Sequence, residues 1–428
     1  MGIPRMLVGA LFVVGCGDSD AAPGAGPPDA GSDALIESGT AGSTGADSGL
    51  DAPSSKHVFQ RVVLHSEFYS EGAHAADIDQ DGTLDVIAGP YWYAGPDFVA
   101  RHQIYAPTPF DPKGYSDNFF AFPHDFNQDG WVDVLVIGFP GKGARWYQNP
   151  KTAAGVWLRH DVVPVVDTES PTFVDLTGDG KPELVCASGG RLGYATPDWS
   201  APEKPWVFHT LSPPGPYQAF THGFGVGDLS GDGRLDVLEA TGSFTQPAAL
   251  GGDPNWARTP QAFGGGGAQM FAADLDADGD MDVITSLAAH GYGVAWFEKT
   301  ASGYQQHLLS GEAPADAPGG VVLHEPHAVA LGDMDGDTLP DVVTGERFWG
   351  HVPAGDPSFT DPAKLYWFRL VRSGQGAHFE PQLIDDASGV GTQVEIVDVD
   401  KNGLGDVVVA NKKGAFVFLH FTQPVGSR

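Results

Sequence analysis

The chain has 428 residues, with 23 Lys plus Arg against 55 Asp plus Glu, which gives a formal net charge of −32. This acidic balance excludes a protein that binds nucleic acid by neutralising phosphates with a basic face. Hydrophobic residues make up 41% of the chain, which is enough for a globular core. The 59 glycines and 34 prolines disfavour helices, so the composition favours an all-β fold with many turns.

The N-terminus is typical of a short export signal. Arg5 is followed by ten uncharged residues, 6–15, a run too short to span a membrane, and then by Cys16. The segment VVGC resembles the lipobox of bacterial lipoproteins, with Val13 where that family most often has Leu. The resemblance implies that residues 1–16 are a lipoprotein signal peptide and that Cys16 carries the lipid. An ordinary secretory signal with an incidental cysteine is the alternative.

Residues 17–56 consist mainly of Gly, Ala, Ser, Pro and Asp and contain no aromatic residue. Such a segment buries too little apolar surface to offset the entropy of ordering it, so the sequence predicts a disordered linker. We therefore expect an exported protein of the cell envelope, in contact with a membrane or cell surface only through a lipid anchor at Cys16.

Seven copies of a nine-residue acidic loop follow, beginning with DIDQDGTLD at residue 77 and recurring at intervals of roughly 50 residues. Side-chain oxygens stand at positions 1, 3, 5 and 9, and glycine at position 6 of most copies permits a sharp turn. This all-oxygen set is typical of a calcium site, and no loop supplies the Cys or His that zinc prefers. Each loop continues into a β-branched run such as DVIAG or DVVVA, which predicts a strand and not the second helix of an EF-hand.

The complete repeat contains four predicted strands, which is the pattern of a β-propeller blade. Aromatic third strands are predicted at 144–150, 294–300 and 365–371, and fourth strands at 100–106, 156–163, 205–212 and 304–310. The last repeat has no fourth strand, and the segment HVFQRVVLH at 57–65 resembles the fourth strands of the other repeats. The sequence therefore predicts an all-β, seven-bladed β-propeller over residues 57–428, closed by the N-terminal strand 57–65. Cys186 falls in a predicted second strand, which indicates a buried hydrophobic residue.

The repeats resemble those of the FG-GAP/VCBS family, also found in the heads of integrin α subunits, over essentially all of residues 57–428. The resemblance implies a seven-bladed propeller with up to seven structural Ca²⁺ ions, held in the hairpin loops between first and second strands. Loop three departs from the pattern with Thr177 and Glu183, and loop six places Thr338 at the turn, where a β-branched residue is strained. Carried over by position, the candidate calcium ligands are Asp77, Asp79, Asp81 and Asp85; Asp125, Asn127, Asp129 and Asp133; Asp175, Asp179 and Glu183; Asp228, Ser230, Asp232 and Asp236; Asp274, Asp276, Asp278 and Asp282; Asp333, Asp335, Asp337 and Asp341; and Asp398, Asp400, Asn402 and Asp406.

A second candidate site lies where the propeller is expected to form a central funnel. Glu71, Glu169, His222 and His327 each stand six residues before a loop, and His290 lies in a connection between second and third strands. Equivalent positions converge near the axis of a propeller, so these five residues are the candidates for binding a sugar or holding a catalytic metal. Solvated polar residues that bind only backbone carbonyls are the alternative. Other polar residues expected nearby are His74, Asp117, Asn118, Gln269, Glu325 and Gln393, together with Lys142, Arg191, Arg347, His351 and Lys412.

Two functions remain open at this stage. The first and favoured one is a calcium-stabilised, lipid-tethered binding module, expected to be a monomer, whose partner is a polysaccharide or a protein. The second is a carbohydrate lyase or dehydratase, because some of those enzymes carry propellers that resemble this one. No nucleophile motif, phosphate loop or HExxH is present, so no catalytic residue is assigned.

Overall fold

A computed structural model describes residues 55–253, 255–351, 361–374 and 376–424. The predicted signal peptide with Cys16, and the linker as far as residue 54, lie outside the described residues. All regular elements in the described part are β-strands. Those residues contain no helix whose length and hydrophobicity would allow it to cross a membrane.

The strands of the described chain form five four-stranded sheets and one eight-stranded sheet. Along the chain, the strands follow the same order as the loops predicted from the sequence. After β1 (Ser55–His65), the strands are β2 (Ala73–Ala76), β3 (Asp85–Ala88), β4 (Tyr91–Tyr93) and β5 (Arg101–Gln103); β6 (Phe120–His124), β7 (Asp133–Ile137), β8 (Lys142–Gln148) and β9 (Leu158–Val166); β10 (Thr172–Val174), β11 (Glu183–Ser188), β12 (Arg191–Thr196) and β13 (Val207–Thr210); β14 (Phe224–Gly227), β15 (Asp236–Glu239), β16 (Gly242–Thr245) and β17 (Ala257–Pro260); β18 (Gln269–Ala273), β19 (Asp282–Ser286), β20 (Val294–Thr300) and β21 (Gly303–Ser310); β22 (Val329–Gly332), β23 (Asp341–Gly345), β24 (Leu365–Ser373) and β25 (Gly376–Asp385); and β26 (Val394–Val397), β27 (Asp406–Asn411) and β28 (Gly414–Pro424). Each group after β1 is an antiparallel meander, as expected for the blade of an all-β propeller.

The eight-stranded sheet consists of two such meanders joined by their first strands, because β14 and β18 pair in parallel. Glycine makes this close approach feasible: a Cβ atom on Gly225 would lie 1.9 Å from the carbonyl oxygen of Met270. The sequence predicted seven separate blades. The described structure has five separate four-stranded sheets, and the fourth and fifth repeats share the sixth sheet.

The two ends of the described chain meet in one sheet. Strand β1 pairs antiparallel with β28, from Ser55 opposite Pro424 to His65 opposite Ala415. The prediction that residues 57–65 supply the missing strand of the last repeat is confirmed by this pairing, and the strand begins two residues earlier than predicted. Strand β2 also contacts both β26 and β6, so the first and last repeats are neighbours. The pairing satisfies backbone groups of β28 that an open arc would leave at an edge.

The core lies between neighbouring sheets, and this explains the composition of the second strands. Strand β7, with the sequence DVLVI, is buried at every residue because other sheets cover both of its faces. Cys186 in β11 is likewise fully buried, and burial raises the pKa of its thiol, so it behaves as the hydrophobic core residue that the sequence predicted.

An aromatic ring on the third strand stacks on a histidine directly opposite it on the fourth strand in several repeats. Trp92 stacks on His102, Trp146 contacts His160 and Trp296 stacks on His307, with ring centroids 4.2, 4.3 and 4.6 Å apart respectively. Cross-strand pairs of this kind help to fix the register of a sheet.

Candidate functional site

The seven acidic loops each connect the first strand of a repeat to its second strand and share one hydrogen-bonding pattern. The carboxylate at position 1 accepts a hydrogen bond from the backbone N–H at position 6, at 2.7–3.2 Å. The side chain at position 5 accepts one from the N–H at position 7, at 2.7–3.0 Å. Positions 4 and 6 have positive φ in every loop, and Thr338 adopts the expected strained conformation with φ of 70°.

The acidic residue at position 9 has a structural role that the sequence did not reveal. Asp133 is completely buried and accepts hydrogen bonds from Phe126 N–H in the loop, at 3.1 Å, and from Asn149 N–H just after the third strand, at 2.7 Å. Asp85, Asp236, Asp282, Asp341 and Asp406 also connect their own loop to the third strand or to the residues that follow it. Glu183 instead binds Leu176 and Thr177 within its loop.

Burial of these position-9 carboxyl groups opposes their ionisation. Burial, reinforced by neighbouring carboxylates, raises the pKa of Asp133 and of Asp341 to about 8 and that of Asp282 to about 6. A divalent cation beside such a group would favour the charged form.

The loops offer donor sets that fit calcium. In loop one, oxygens of Asp77, Asp79 and Asp85 lie within 4.8 Å of one another, and Oδ1 of Asp77 is buried with no hydrogen-bond partner among the described residues. Comparable groups of three carboxylates occur in loop five (Asp274, Asp276, Asp278) and loop six (Asp333, Asp335, Asp341). Carboxylate oxygens in an irregular arrangement are the ligands that calcium prefers.

Some loops also receive a cation from the chain itself. In loop six, Arg369 Nε lies 2.5 Å from Asp335 Oδ2, and its Nη2 lies 3.3 Å from Asp337 Oδ2. In loop two, Lys151 Nζ lies 3.1 Å from Asp129 Oδ2. The acidic residues of loops one, three, five and seven form no such ion pair in the described part of the chain. Among these four loops, loops one and five also bring three carboxylates within 4.8 Å of one another, which favours a bound metal ion there.

The five funnel candidates lie together, joined by a buried arginine. The guanidinium of Arg347 is 2% exposed, forms an ion pair with Glu71, and places Nη1 3.6 Å from Oε2 of Glu169. The same Glu169 oxygen lies 3.5 Å from Nε2 of His222. Burial alone would raise the pKa of Glu169, but His222 and Arg347 hold that pKa below its usual value. The sequence placed Arg347 in a connection near the funnel but did not indicate this central role.

His222, His290 and His327, which we call the histidine cluster, converge beside Glu169. Their ring centroids are 4.9 Å apart for His222 and His290, 4.7 Å for His290 and His327, and 5.6 Å for His222 and His327. His290 also contacts the ring of His351, with centroids 4.2 Å apart. Burial, with added repulsion from Arg347, lowers the pKa of His327 well below its ordinary value, which makes its imidazole neutral at pH 7.

Other polar residues expected in the funnel connect repeats instead. The side-chain amide of Gln393 donates to the Ala121 carbonyl and accepts from the Ala121 N–H, both at 3.0 Å. The amide of Gln269 joins Thr392 and Val329 in the same way, at 2.7 and 2.9 Å. These glutamines satisfy backbone groups of the innermost strands and their flanking residues, which explains their polarity without a ligand.

A cleft of about 480 Å³ lies next to the histidine cluster, with His222 in its lining. Its lining also includes Tyr217, Phe220, Glu239 and Arg258, whose Nη2 lies 2.6 Å from Oε1 of Glu239. Phe220 is 48% exposed and has a φ of 70°, an unusual combination for an aromatic residue. No motif marked Tyr217, Phe220 or Arg258 as site residues, because the cleft forms only when the connection before the fourth repeat folds against the strands of that repeat.

Comparison with known proteins identifies one of the repeats. Residues 125–186 match the model of the FG-GAP-like repeat. No curated protein matches the sequence.

Several solved structures are similar to this chain. BBS1N in complex with ARL6DN is 12% identical, with 87% of this chain and 98% of that chain covered and a TM-score of 0.46. The rhamnogalacturonan lyase YesW is 12% identical, with 86% and 74% covered and a TM-score of 0.40. A lectin from Agrocybe aegerita that recognises non-reducing terminal N-acetylglucosamine is 15% identical, with 87% and 86% covered and a TM-score of 0.30. At these identities and TM-scores, the ligands and activities of those proteins are not assigned to this chain.

Proposed function

We propose that this protein is a cell-envelope lipoprotein, tethered through Cys16, whose calcium-stabilised propeller binds polysaccharide in the cleft. In this proposal the linker 17–56 separates the membrane from the propeller, and the two halves of the eight-stranded sheet count as two of seven blades. Calcium in the acidic loops has a structural role, because the loops hold the first and second strands of each repeat together.

The cleft is the observation that carries the binding proposal. Its volume of about 480 Å³ falls within the range of small-ligand sites. The exposed ring of Phe220 presents an apolar face on which the C–H face of a sugar ring stacks, whereas Tyr217 is buried in the wall beside it. The Glu239–Arg258 pair offers charged hydrogen-bonding groups that match sugar hydroxyls and carboxylates. Exposure of Phe220 in a strained backbone conformation is a feature more common at functional sites than elsewhere.

A glycan array probed with the full chain tests this function. Phe220→Ala removes a stacking surface, and Arg258→Gln removes the charged donor, so we expect each variant to weaken binding to the glycans that the wild type retains by about tenfold. Leu383→Ala is the matched control, because Leu383 is exposed to a similar degree, 45%, and does not line the cleft. Equal glycan binding by all three variants, or capture of a protein and no glycan, would contradict the proposal.

An enzyme is the second candidate, and one observation favours it. His222 belongs to both the cleft and the histidine cluster, so a sugar in the cleft would lie beside imidazole groups suited to general acid–base chemistry. Incubation of each bound glycan with the protein distinguishes the two functions. New reducing ends, or an ultraviolet-absorbing double bond, would indicate cleavage by a lyase, whereas unchanged glycans support a binding module.

A further inference from the structure

We infer that His222, His290 and His327 bind a divalent first-row transition metal of the zinc type. This site is separate from the acidic loops and does not depend on the proposed polysaccharide function. Its donors are imidazole nitrogens, which suit zinc, copper and nickel, whereas the loops offer only the oxygen ligands that calcium prefers.

His327 is the best-positioned ligand. Its side chain is 2% exposed, and Nδ1 lies 3.0 Å from the backbone carbonyl oxygen of Glu325, to which it donates a hydrogen bond. That bond leaves Nε2 as the nitrogen with the lone pair, and Nε2 is buried with no hydrogen-bond partner in the described residues. A metal-binding histidine commonly donates its second nitrogen to a carbonyl or carboxylate in this way.

The other two histidines complete a three-nitrogen set. One ring nitrogen from each of His222, His290 and His327 lies within 4.8 Å of the others. Nitrogens around a tetrahedral zinc ion are about 3.3 Å apart for bond lengths of about 2.05 Å, so each pair needs to close by about 1.5 Å at most. The rings are inclined to one another at 69–82°, an arrangement that allows three lone pairs to meet at one point.

A carboxylate lies near each of two of the histidine ligands. Oε2 of Glu169 lies 3.5 Å from Nε2 of His222, and Oε1 of Glu325 lies 3.8 Å from Nδ1 of His290. Such carboxylates orient imidazole ligands and offset part of the metal charge. The side chain of His290 is 37% exposed, so solvent reaches the cluster. Three protein ligands with an accessible fourth position are typical of zinc sites that bind an exchangeable ligand.

Metal titration of the full chain tests this inference. The protein is stripped with EDTA, returned to millimolar Ca²⁺ to fill the loops, and titrated with Zn²⁺ by calorimetry and with Co²⁺ by visible absorption. We expect one Zn²⁺ per chain with a Kd of about 1 μM or below, and a Co²⁺ spectrum of tetrahedral type.

Variants locate the metal. His290→Ala and His327→Ala should each weaken Zn²⁺ binding at least tenfold, and the accessible His290 provides a variant that leaves the core intact. His378→Ala, on an exposed histidine outside the cluster, should not change it. The inference would be overturned if His290→Ala and His222→Ala still bound one Zn²⁺ per chain with unaltered affinity. It would also be overturned if His378→Ala lost as much Zn²⁺ affinity as the cluster variants. Repeating the glycan array on the zinc-free, calcium-loaded protein separates failure of this site from failure of the cleft.

Discussion

The acidic residue at position 9 of each loop has a structural role in addition to its place among the candidate calcium ligands. It belongs to the candidate calcium set, yet six of the seven copies also use both oxygens to bind backbone N–H groups from two elements. Such a connection does not require a metal ion. The sequence identified the residue type correctly but could not separate these roles, because the N–H partners near the third strand are distant in sequence.

Removal of one position-9 side chain should destabilise the protein even without calcium. Asp282→Ala leaves the N–H groups of Leu275 and Lys299 without their acceptor, which we expect to cost about 2–6 kcal/mol of unfolding free energy. Urea denaturation in EDTA measures this change in unfolding free energy.

Asp278→Ala is the control in the same loop. Asp278 is exposed, and the backbone N–H that it binds remains accessible to water. In EDTA, this variant should therefore lose less than about 1 kcal/mol of unfolding free energy. An equally small destabilisation by the two variants in EDTA would contradict the structural role of position 9.

The strands follow local sequence patterns closely, whereas their grouping into sheets depends on contacts between repeats. Second strands are β-branched and buried, and third strands carry the aromatic rings that stack on histidines of the fourth strands. The joined fourth and fifth repeats are the exception to simple repetition. Glycines at 225 and 227 in β14 lack the Cβ atoms that would separate this strand from β18.

Gly225→Ala tests the origin of the eight-stranded sheet. The new Cβ would clash with the Met270 carbonyl, so we expect the parallel pairing to separate and the protein to lose about 1–3 kcal/mol of stability. Hydrogen exchange at β14 and β18 should increase at the same time. Gly251→Ala is the matched control because its Cβ would meet no atom within 4 Å. An unchanged melting temperature and exchange rate in Gly225→Ala would contradict the role given to this glycine.

At the scale of the whole molecule, closure and charge determine stability together. The pairing of β1 with β28 places both ends of the described chain in one sheet. The chain nevertheless carries a net charge of −32, much of it in the acidic loops, and this charge favours expansion unless cations offset it. Arg369 and Lys151 provide part of this compensation in loops six and two.

Calcium removal should therefore lower the melting temperature by several degrees, and millimolar Ca²⁺ should restore it where Zn²⁺ does not. Each occupied loop is expected to contribute roughly 0.4–1.4 kcal/mol for a Kd on the order of 0.1–1 mM. Differential scanning calorimetry with and without EDTA measures the shift.

Paired variants assign the calcium effect to particular loops. Asp79→Asn in loop one should reduce the calcium-dependent shift more than Asp335→Asn in loop six, because Arg369 already compensates Asp335. A melting curve insensitive to EDTA would remove calcium from the account of stability.

The sequence by itself determined the repeat, the acidic loops, the strands that flank them and the strand that completes the last sheet. These features depend on patterns within about ten residues or on regular recurrence. Such patterns are visible in the sequence, because they follow from local backbone preferences and from the alternation of buried and exposed residues. The tertiary structure alone decided the shared sheet, the buried Arg347 between Glu71 and Glu169, the distances between the three histidine rings that the sequence had placed near the axis, and the cleft bordered by Phe220. Those arrangements depend on distances between side chains that are far apart in the sequence, and spacing along the chain does not specify such distances.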